Sequence, residues 1–259
     1  MKITKVEGWA VTMRLAEPYV IAYETIEATT NIFLRVETNS AIVGYGCAAP
    51  DREITGETPE SVMRAVDEVI APSFKGGDPL RSALLLQRLW EPLVTQPSAM
   101  AAADMALYDI LGKAAGLPLW KILGGFRDRM RTSVTIGIQP VGDTVRRARA
   151  WVEQGFRCLK IKGGVSVDED VARVLAVREA VGDAIELRFD ANQGYTVEES
   201  LAFVERVRPA RLELIEQPTP RGEPDLLGRV TSGVAIPVMA DESLMTLRDA
   251  YRLARKNFA

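Results

Sequence analysis

Histidine is absent from the 259 residues of the sequence. This absence excludes Ser-His and Cys-His nucleophilic mechanisms and histidine metal sites within these residues. Any proton transfer must therefore use Lys, Asp, Glu, Tyr or Cys side chains. Cysteine is scarce as well. The two cysteines, Cys47 and Cys158, form neither a metal-binding spacing nor a disulfide framework. A reducing, cytoplasmic environment is the expectation.

Long apolar runs and blocks of a single charge are also missing. The apolar runs fall well short of a membrane span, and the N-terminal residues MKITKVEGWAV resemble a strand instead of a secretion signal. The formal net charge is −3, with no basic patch that would favour nucleic acid or an anionic membrane. We therefore expect a small-molecule substrate and neither a nucleic-acid nor a membrane partner.

The first part of the chain predicts an α+β domain. Residues 31–38 alternate apolar and polar side chains, and residues 41–50 follow an Asn-Ser turn as the second strand of a hairpin. Residues 16–30 are polar and aromatic without a helical period, which favours a loop. Helical patterns follow, the first with Thr58 as N-cap. A domain boundary is predicted between residues 125 and 126.

The second part, residues 126–259, repeats a strand, a loop and an amphipathic helix. This alternation predicts parallel strands joined by crossover helices, either in an open doubly wound sheet or in a (β/α)8 barrel. Both arrangements bind ligands at the carboxyl ends of their strands. No glycine fingerprint for a dinucleotide follows the first of these strands, which argues against a dinucleotide cofactor.

Four charged residues end successive predicted strands: Lys162, Asp190, Glu216 and Asp241. They are separated by about one strand–helix unit each, so a parallel sheet would bring them to the same end. One such carboxylate would more often cap a helix, but three at a matched period favour a hard divalent cation that offsets their repulsion. We predict Mg²⁺, with Mn²⁺ as the alternative. Beside such a cluster, a lysine of the Lys-Ile-Lys sequence can act as a base.

Four motifs, in this order, resemble one family: LKIKGG (159–164), LRFDANQGY (187–195), LIEQPTP (214–220) and PVMADESL (237–244). The sequence resembles the enolase superfamily in its muconate-lactonizing-enzyme subgroup. Residues 101–125, AAADMALYDILGKAAGLPLWKILGG, are also typical of its capping domain. Within the subgroup, the similarity is greatest to dipeptide epimerases of the L-Ala-D/L-Glu type.

The resemblance implies an α/β fold, with an N-terminal α+β capping domain over residues 1–125. Residues 126–259 would then supply the first five strands of an enolase-type (β/α) barrel, which is incomplete in this chain. It further implies Mg²⁺ bound by Asp190, Glu216 and Asp241, Lys162 as an acid/base and Lys160 as an assisting cation. Asn192 and Glu242 match positions that support the metal ligands.

The reaction implied by the resemblance is epimerisation through an enediolate, which forms when a proton alpha to a carboxylate is removed. A second lysine facing Lys162 would lie on the sixth barrel strand, and paired aspartates that hold the substrate ammonium would follow near the eighth. Both are expected after residue 259. We therefore expect a polypeptide of these 259 residues alone to be inactive as an epimerase.

Residues 16–30 correspond to the loop that closes over the substrate in this family. Relatives that act on L-Ala-L-Glu carry an arginine where this sequence has Glu24. An acid there would repel an acidic substrate side chain, which predicts a dipeptide with a hydrophobic or cationic C-terminal residue. A Glu24 side chain that points to solvent fits the sequence equally well. Tyr19, Ile21 and Thr135 are further candidates for the substrate pocket.

Other activities share the same lysines and ligands: muconate cycloisomerase, o-succinylbenzoate synthase and N-acylamino-acid racemase. The mandelate-racemase subgroup typically uses a His-Asp pair from later strands and Glu as the third metal ligand. Asp241 argues against that subgroup, although the neighbouring Glu242 could take this role instead. A non-catalytic metal-binding barrel fragment is the alternative from another functional class. Members of the family often form homo-oligomers, so assembly is an expectation by analogy alone.

Overall fold

The computed structural model describes residues 1–21, 25–256 and 258–259. The residues cluster in two compact units. One contains Met1–Ala16 and Glu27–Asp128, and the other contains Glu17–Ile26 and Arg129–Ala259. No helix among the described residues is long and apolar enough to cross a membrane.

Two sheets organise the chain, one in order β1-β2-β3 and one in order β4-β5-β6-β7-β8. The strands of the described residues are β1 (Ile3–Val20), β2 (Thr25–Thr38), β3 (Val43–Ala48), β4 (Val134–Ile136), β5 (Cys158–Lys162), β6 (Glu186–Asp190), β7 (Leu214–Glu216) and β8 (Val238–Met239). The α-helices are α1 (Pro59–Ala65), α2 (Ala71–Phe74), α3 (Ser82–Trp90), α4 (Pro97–Ala115), α5 (Leu119–Ile122), α6 (Val141–Glu153), α7 (Val167–Val181), α8 (Val197–Arg206), α9 (Pro224–Gly233) and α10 (Leu247–Lys256). A π-helical stretch, Val66–Ile70, joins α1 to α2, and a 3-10 turn, Arg208–Ala210, follows α8.

The hairpin predicted from residues 31–38 and 41–50 is confirmed, with β2 and β3 antiparallel from Ile32↔Ala48 to Glu37↔Val43. The prediction of a loop over residues 16–30 is wrong in its secondary structure, because β1 continues to Val20 and β2 begins at Thr25. Threonine and isoleucine recur through the second half of that segment, and β-branched side chains favour extended backbone. This tendency outweighs the polar character on which the loop prediction rested.

The first helix begins where its predicted N-cap places it. Thr58 caps α1 by accepting a hydrogen bond from the Ser61 N–H, and the Thr58 N–H donates one to Ser61 Oγ in turn. The buried Glu57 accepts from the N–H groups of Ser98 and Ala99 at the start of α4, at distances from 2.9 to 3.2 Å. A carboxylate at this end of a helix also interacts favourably with the helix dipole.

The parallel sheet has two chemically different faces because side chains alternate along each strand. One face packs against the helices and is apolar, with Leu159, Ile161 and Phe189 fully buried. On the other face, Lys160 and Lys162 of β5 lie in register with Arg188 and Asp190 of β6. The five parallel strands match the predicted first part of an enolase-type barrel, so the fold class is confirmed.

Helices α7 and α8 follow their strands with defined caps. Thr196 and Glu199 form a capping box at the start of α8. Asp168 lies in the first turn of α7, where it pairs with Arg206 on the surface. Ser166 takes the cap position, since its backbone is extended and its side chain accepts from the Glu169 N–H.

Candidate functional site at the carboxyl ends of the parallel strands

Register alone brings the predicted strand-end residues together. Lys162 is paired with Asp190, and Asp190 with Glu216. Glu216 is paired in turn with Met239, so Asp241 follows two residues beyond the end of β8. Paired residues in neighbouring strands share a face, so the first three charged side chains point to the same side of the sheet.

Both lysines of β5 bind the buried carboxylates. Lys162 Nζ lies 2.7 Å from Asp190 Oδ2, and Lys160 Nζ lies 2.8 Å from the same oxygen. Lys160 Nζ also lies 2.6 Å from Glu216 Oε1. Asp190 is fully buried and Glu216 is 4% exposed, so these ion pairs are shielded from water. A desolvated cluster of this kind is held together by full pairing of its charges.

The electrostatics differ among the paired groups. Burial opposes ionisation of Asp190, but Lys162 and Lys160 together hold its pKa below the usual range. Burial, followed by the charge of Asp190, raises the pKa of Glu216. Burial would lower the pKa of Lys160, yet Asp190 and Glu216 reverse this effect and raise it. Lys160 is therefore a persistent cation in this arrangement.

The third predicted ligand, Asp241, is exposed, whereas its neighbour Glu242 is 4% exposed. Burial and then the charge of Asp241 raise the pKa of Glu242. Glu242 Oε2 and Asn192 Oδ1 are buried and have no hydrogen-bond partner among the described residues. Buried oxygens without a partner are costly unless another group binds them.

One contributor was missed by the sequence analysis. The Gln217 side chain accepts from the N–H groups of Asp241 and Ser243, at 2.9 and 3.1 Å. Its Nε2 donates to the Thr219 carbonyl and to Ser243 Oγ, both at 2.8 Å. Gln217 thus fixes the loop that carries Asp241. The sequence clue was a polar amide directly after a short apolar strand, a position that is buried here.

The predicted substrate residues are only partly brought to this site. Thr135 is paired with Lys160 in the sheet register and is exposed beside it. Ile21 is buried, in a segment whose Val20 carbonyl accepts from the Ile138 N–H after β4. The backbone of Tyr19 belongs to β1. Glu24 lies outside the described residues.

A second acidic group lies at the opposite ends of the strands. Cys158, Glu186 and Glu213 bring ligand atoms within 4.8 Å of one another. Arg131 pairs with Glu186 and Arg188 pairs with Glu213, so both carboxylates are already neutralised. Burial raises the pKa of the Cys158 thiol, which disfavours the thiolate that a metal requires.

The residues at the carboxyl ends fit a hard divalent cation. The donors there are carboxylate and amide oxygens without histidine or a thiolate, which suits Mg²⁺ or Mn²⁺ and disfavours zinc or copper. The unpartnered oxygens of Asn192 and Glu242 support this fit, because they provide buried acceptor capacity beside the predicted ligands.

Two family models match the chain. Residues 3–124 match the mandelate racemase / muconate lactonizing enzyme N-terminal domain, and residues 143–259 match the enolase C-terminal domain-like family. Among curated relatives, an L-Lys-D/L-Arg epimerase of Desulforapulum autotrophicum is 40% identical over 98% of this chain and 71% of its own length. The chain belongs to the mandelate racemase / muconate lactonizing enzyme family of the enolase superfamily.

Further members of this family are similar over the whole chain. A hydrophobic dipeptide epimerase of Enterococcus faecalis is 37% identical over 99% of this chain and 72% of its own length. The solved L-Ala-D/L-Glu epimerase of Bacillus subtilis superposes with a TM-score of 0.97, at 33% identity, over 100% of this chain and 73% of its own. A dipeptide epimerase from Enterococcus faecalis, solved with Mg and L-Leu-L-Tyr, gives the same TM-score at 36% identity, over 100% of this chain and 73% of its own. These relatives are epimerases, a kind of isomerase, and the resemblance to dipeptide epimerases of the enolase superfamily is confirmed.

Proposed function

We propose that this chain carries the metal and first proton-transfer site of a Mg²⁺-dependent epimerase that acts on dipeptides. Asp190, Glu216 and Asp241 would hold the metal, with Asn192 and Glu242 beside them. The main support is the register that sets Lys162, Asp190 and Glu216 side by side at the ends of neighbouring strands. Solved relatives with Mg and a dipeptide add to it.

The two lysines have different proposed roles because they have different partners. Lys160 contacts two carboxylates and has a raised pKa, so it keeps its charge and stabilises negative charge that develops on the substrate carboxylate. Lys162 contacts one carboxylate and lies at the very end of β5, so we assign it the proton transfer. A bound Mg²⁺ supplies Lewis-acid stabilisation of the same developing charge.

For the substrate, we propose a dipeptide whose C-terminal residue is hydrophobic or cationic. The acid Glu24, where an arginine would suit an acidic partner, supports this choice. The relatives agree in trend: the Lys/Arg and hydrophobic dipeptide epimerases are 40% and 37% identical, and the Bacillus subtilis L-Ala-D/L-Glu epimerase is 34% identical.

The test is exchange of the alpha hydrogen in deuterated water, measured by mass spectrometry on the protein as its gene encodes it. Ala-Leu, Ala-Lys and Ala-Glu serve as substrates. Replacing the base, Lys162→Met, should lower exchange by about a hundredfold or more. Lys256→Met is the matched control, because Lys256 pairs with Asp225 on the surface. Absence of exchange with every dipeptide contradicts the proposal, and a preference for Ala-Glu contradicts its substrate part.

Metal binding is tested separately by calorimetry. Asp190→Asn should weaken Mg²⁺ binding, whereas Asp168→Asn, which alters an exposed carboxylate on α7, should not. Binding of Mg²⁺ without any hydrogen exchange would favour the non-catalytic alternative.

An N-acylamino-acid racemase is the second candidate. An N-succinyl-L-Arg/Lys racemase of Bacillus cereus is 29% identical, and its solved structure superposes with a TM-score of 0.96. Faster exchange with N-succinyl-lysine than with any dipeptide would identify that activity.

A further inference from the structure

The turn that follows Lys162 is built from closely packed backbone. Gly163 donates to the Asp190 carbonyl at 2.9 Å, which continues the β5–β6 pairing past the end of the strand. Gly164 has a φ of +99°, and a Cβ there would lie 1.9 Å from the Ala191 carbonyl oxygen. A Cβ on Gly194 would lie 2.0 Å from the Gly164 carbonyl oxygen. The backbone that carries Lys162 therefore depends on what holds this turn.

A buried carboxylate holds it from outside the strand. Asp170, on α7, is fully buried, and its Oδ2 accepts from the Gly164 N–H at 2.9 Å. The same oxygen accepts from the Tyr195 hydroxyl at 2.5 Å. Its other oxygen, Oδ1, accepts from Arg173 Nη2. One carboxylate thus ties together the turn after β5, the helix α7 and the loop after β6.

Tyr195 links this carboxylate to the other two strand ends. Its ring stacks on Phe189, which immediately precedes Asp190, with centroids 6.2 Å apart. Its N–H donates to the Pro218 carbonyl at 2.9 Å, in the loop that follows β7. A displacement of Tyr195 would therefore act on three neighbouring strand ends at once.

Packing alone does not require these polar groups. Asp170 is fully buried and Arg173 is 3% exposed. A buried ion pair usually adds little stability compared with apolar residues of similar size. Arg173 Nε and Nη1 have no hydrogen-bond partner among the described residues, which adds a further cost. Such a cluster is more useful for fixing a geometry than for stabilising a core.

We propose that Asp170 and Tyr195 are positioning residues that set the Lys162 ammonium against the substrate through the Gly163–Gly164 turn. This inference rests on the proposed role of Lys162 in proton transfer. Neither residue contacts the reacting atoms in this arrangement. Their effect is transmitted by the Gly164 N–H, and a displacement of about 1 Å in a reacting group can cost a hundredfold in rate.

The central test is Tyr195→Phe, which removes one hydroxyl and keeps the aromatic ring on Phe189. Tyr251→Phe is the control, because Tyr251 is 65% exposed on α10. We expect Tyr195→Phe to lower kcat by about ten- to a hundredfold with KM nearly unchanged. Alpha-hydrogen exchange should fall selectively for the epimer whose hydrogen faces Lys162. Asp170→Asn should likewise lower kcat with KM nearly unchanged, whereas Asp168→Asn on the same helix should leave kcat unchanged.

Two outcomes would overturn the inference. If Tyr195→Phe and Tyr251→Phe have equal kcat, the hydroxyl does not position the base. If exchange falls equally for both epimers, in step with the loss of folded protein, the network is only structural.

Failure of the proposed function is distinguishable. If the unaltered protein exchanges no substrate hydrogen, the dipeptide activity is wrong, and amide hydrogen exchange then decides the network by itself. Tyr195→Phe should increase exchange of the Gly164 amide about tenfold, without a change in α6. An unaltered Gly164 amide would refute the network in that case as well.

Discussion

A single methyl group at Gly164 should disrupt the end of β5. The Gly164→Ala substitution places its Cβ 1.9 Å from the Ala191 carbonyl oxygen, a backbone atom that cannot rotate away. It also forces alanine into a φ of +99°, a conformation that L-residues rarely adopt. Strain and overpacking therefore act together at this position.

The expected cost follows from these two terms. An unfavourable backbone conformation costs roughly 1–3 kcal/mol, and overpacking of a filled site costs about 1–3 kcal/mol more. The free energy of unfolding should therefore fall by roughly 2–6 kcal/mol. Each kcal/mol corresponds to about 2–4 °C in Tm for a unit of this size.

A second glycine in the same unit provides the control. Gly142 lies in the first turn of α6, and a Cβ there would meet nothing within 4 Å. Gly142→Ala should raise the free energy of unfolding by about 0.5–1 kcal/mol, because alanine has the higher helix propensity. Urea unfolding of both variants measures the difference. A Gly164→Ala variant within about 0.5 kcal/mol of the unaltered protein would refute the packing argument.

Three further predictions concern carboxylates that are buried, as at Glu57 and Asp190, or partly buried, as at Asp104. Burial raises the pKa of Asp104, so the folded state favours the protonated carboxyl group. Ionisation of this group therefore lowers the free energy of unfolding as the pH rises through that pKa. Asp104→Asn should raise the free energy of unfolding at pH 7 and not at about pH 3, and equal effects at both pH values would contradict this. Glu57→Gln should lower the free energy of urea unfolding by about 1–2 kcal/mol, because it weakens the hydrogen bonds to Ser98 and Ala99 at the start of α4. An unchanged urea midpoint would exclude a contribution from the Glu57 charge. Asp190→Ala should lower the free energy of unfolding by about 3–5 kcal/mol in the absence of metal, since the ammonium groups of Lys160 and Lys162 lose a shared partner. An equally stable variant would show that these ion pairs are not formed in solution.

The fold was predictable where one physical rule dominates. Alternating apolar residues set the β2–β3 hairpin, and the regular strand–helix repeat set the parallel sheet. Helix starts were predictable where a side chain makes the cap, as at Thr58 and Thr196. The prediction was wrong over residues 16–30, where polar composition suggested a loop although β-branched residues form strands. Local composition reports solvent contact more directly than it reports backbone conformation.

The strand-end charges were predictable because parallel register converts a repeat in sequence into neighbours in space. Lys162, Asp190 and Glu216 illustrate this. The supporting contacts were not predictable, because no repeat connects them. Gln217 and Asp170 act through hydrogen bonds to loop amides, and those bonds depend on how each loop turns after its strand. Side-chain partners across such turns emerge only in three dimensions.

Charge balance along the polar face of the parallel sheet differs between its two ends. At the amino ends of the strands, Glu186 and Glu213 are matched by Arg131 and Arg188, so the four named charges cancel.

At the carboxyl ends, four carboxyl groups (Asp190, Glu216, Asp241 and Glu242) face two ammonium groups (Lys160 and Lys162). Four negative charges against two positive ones leave an excess of two when all are ionised. The pKa values of Glu216 and Glu242 are raised, by burial first and by neighbouring carboxylates next, as expected where negative charge is not fully compensated. A divalent cation bound there would supply the two missing positive charges, and the proton exchange proposed for Lys162 would then not leave its carboxylate neighbours unpaired.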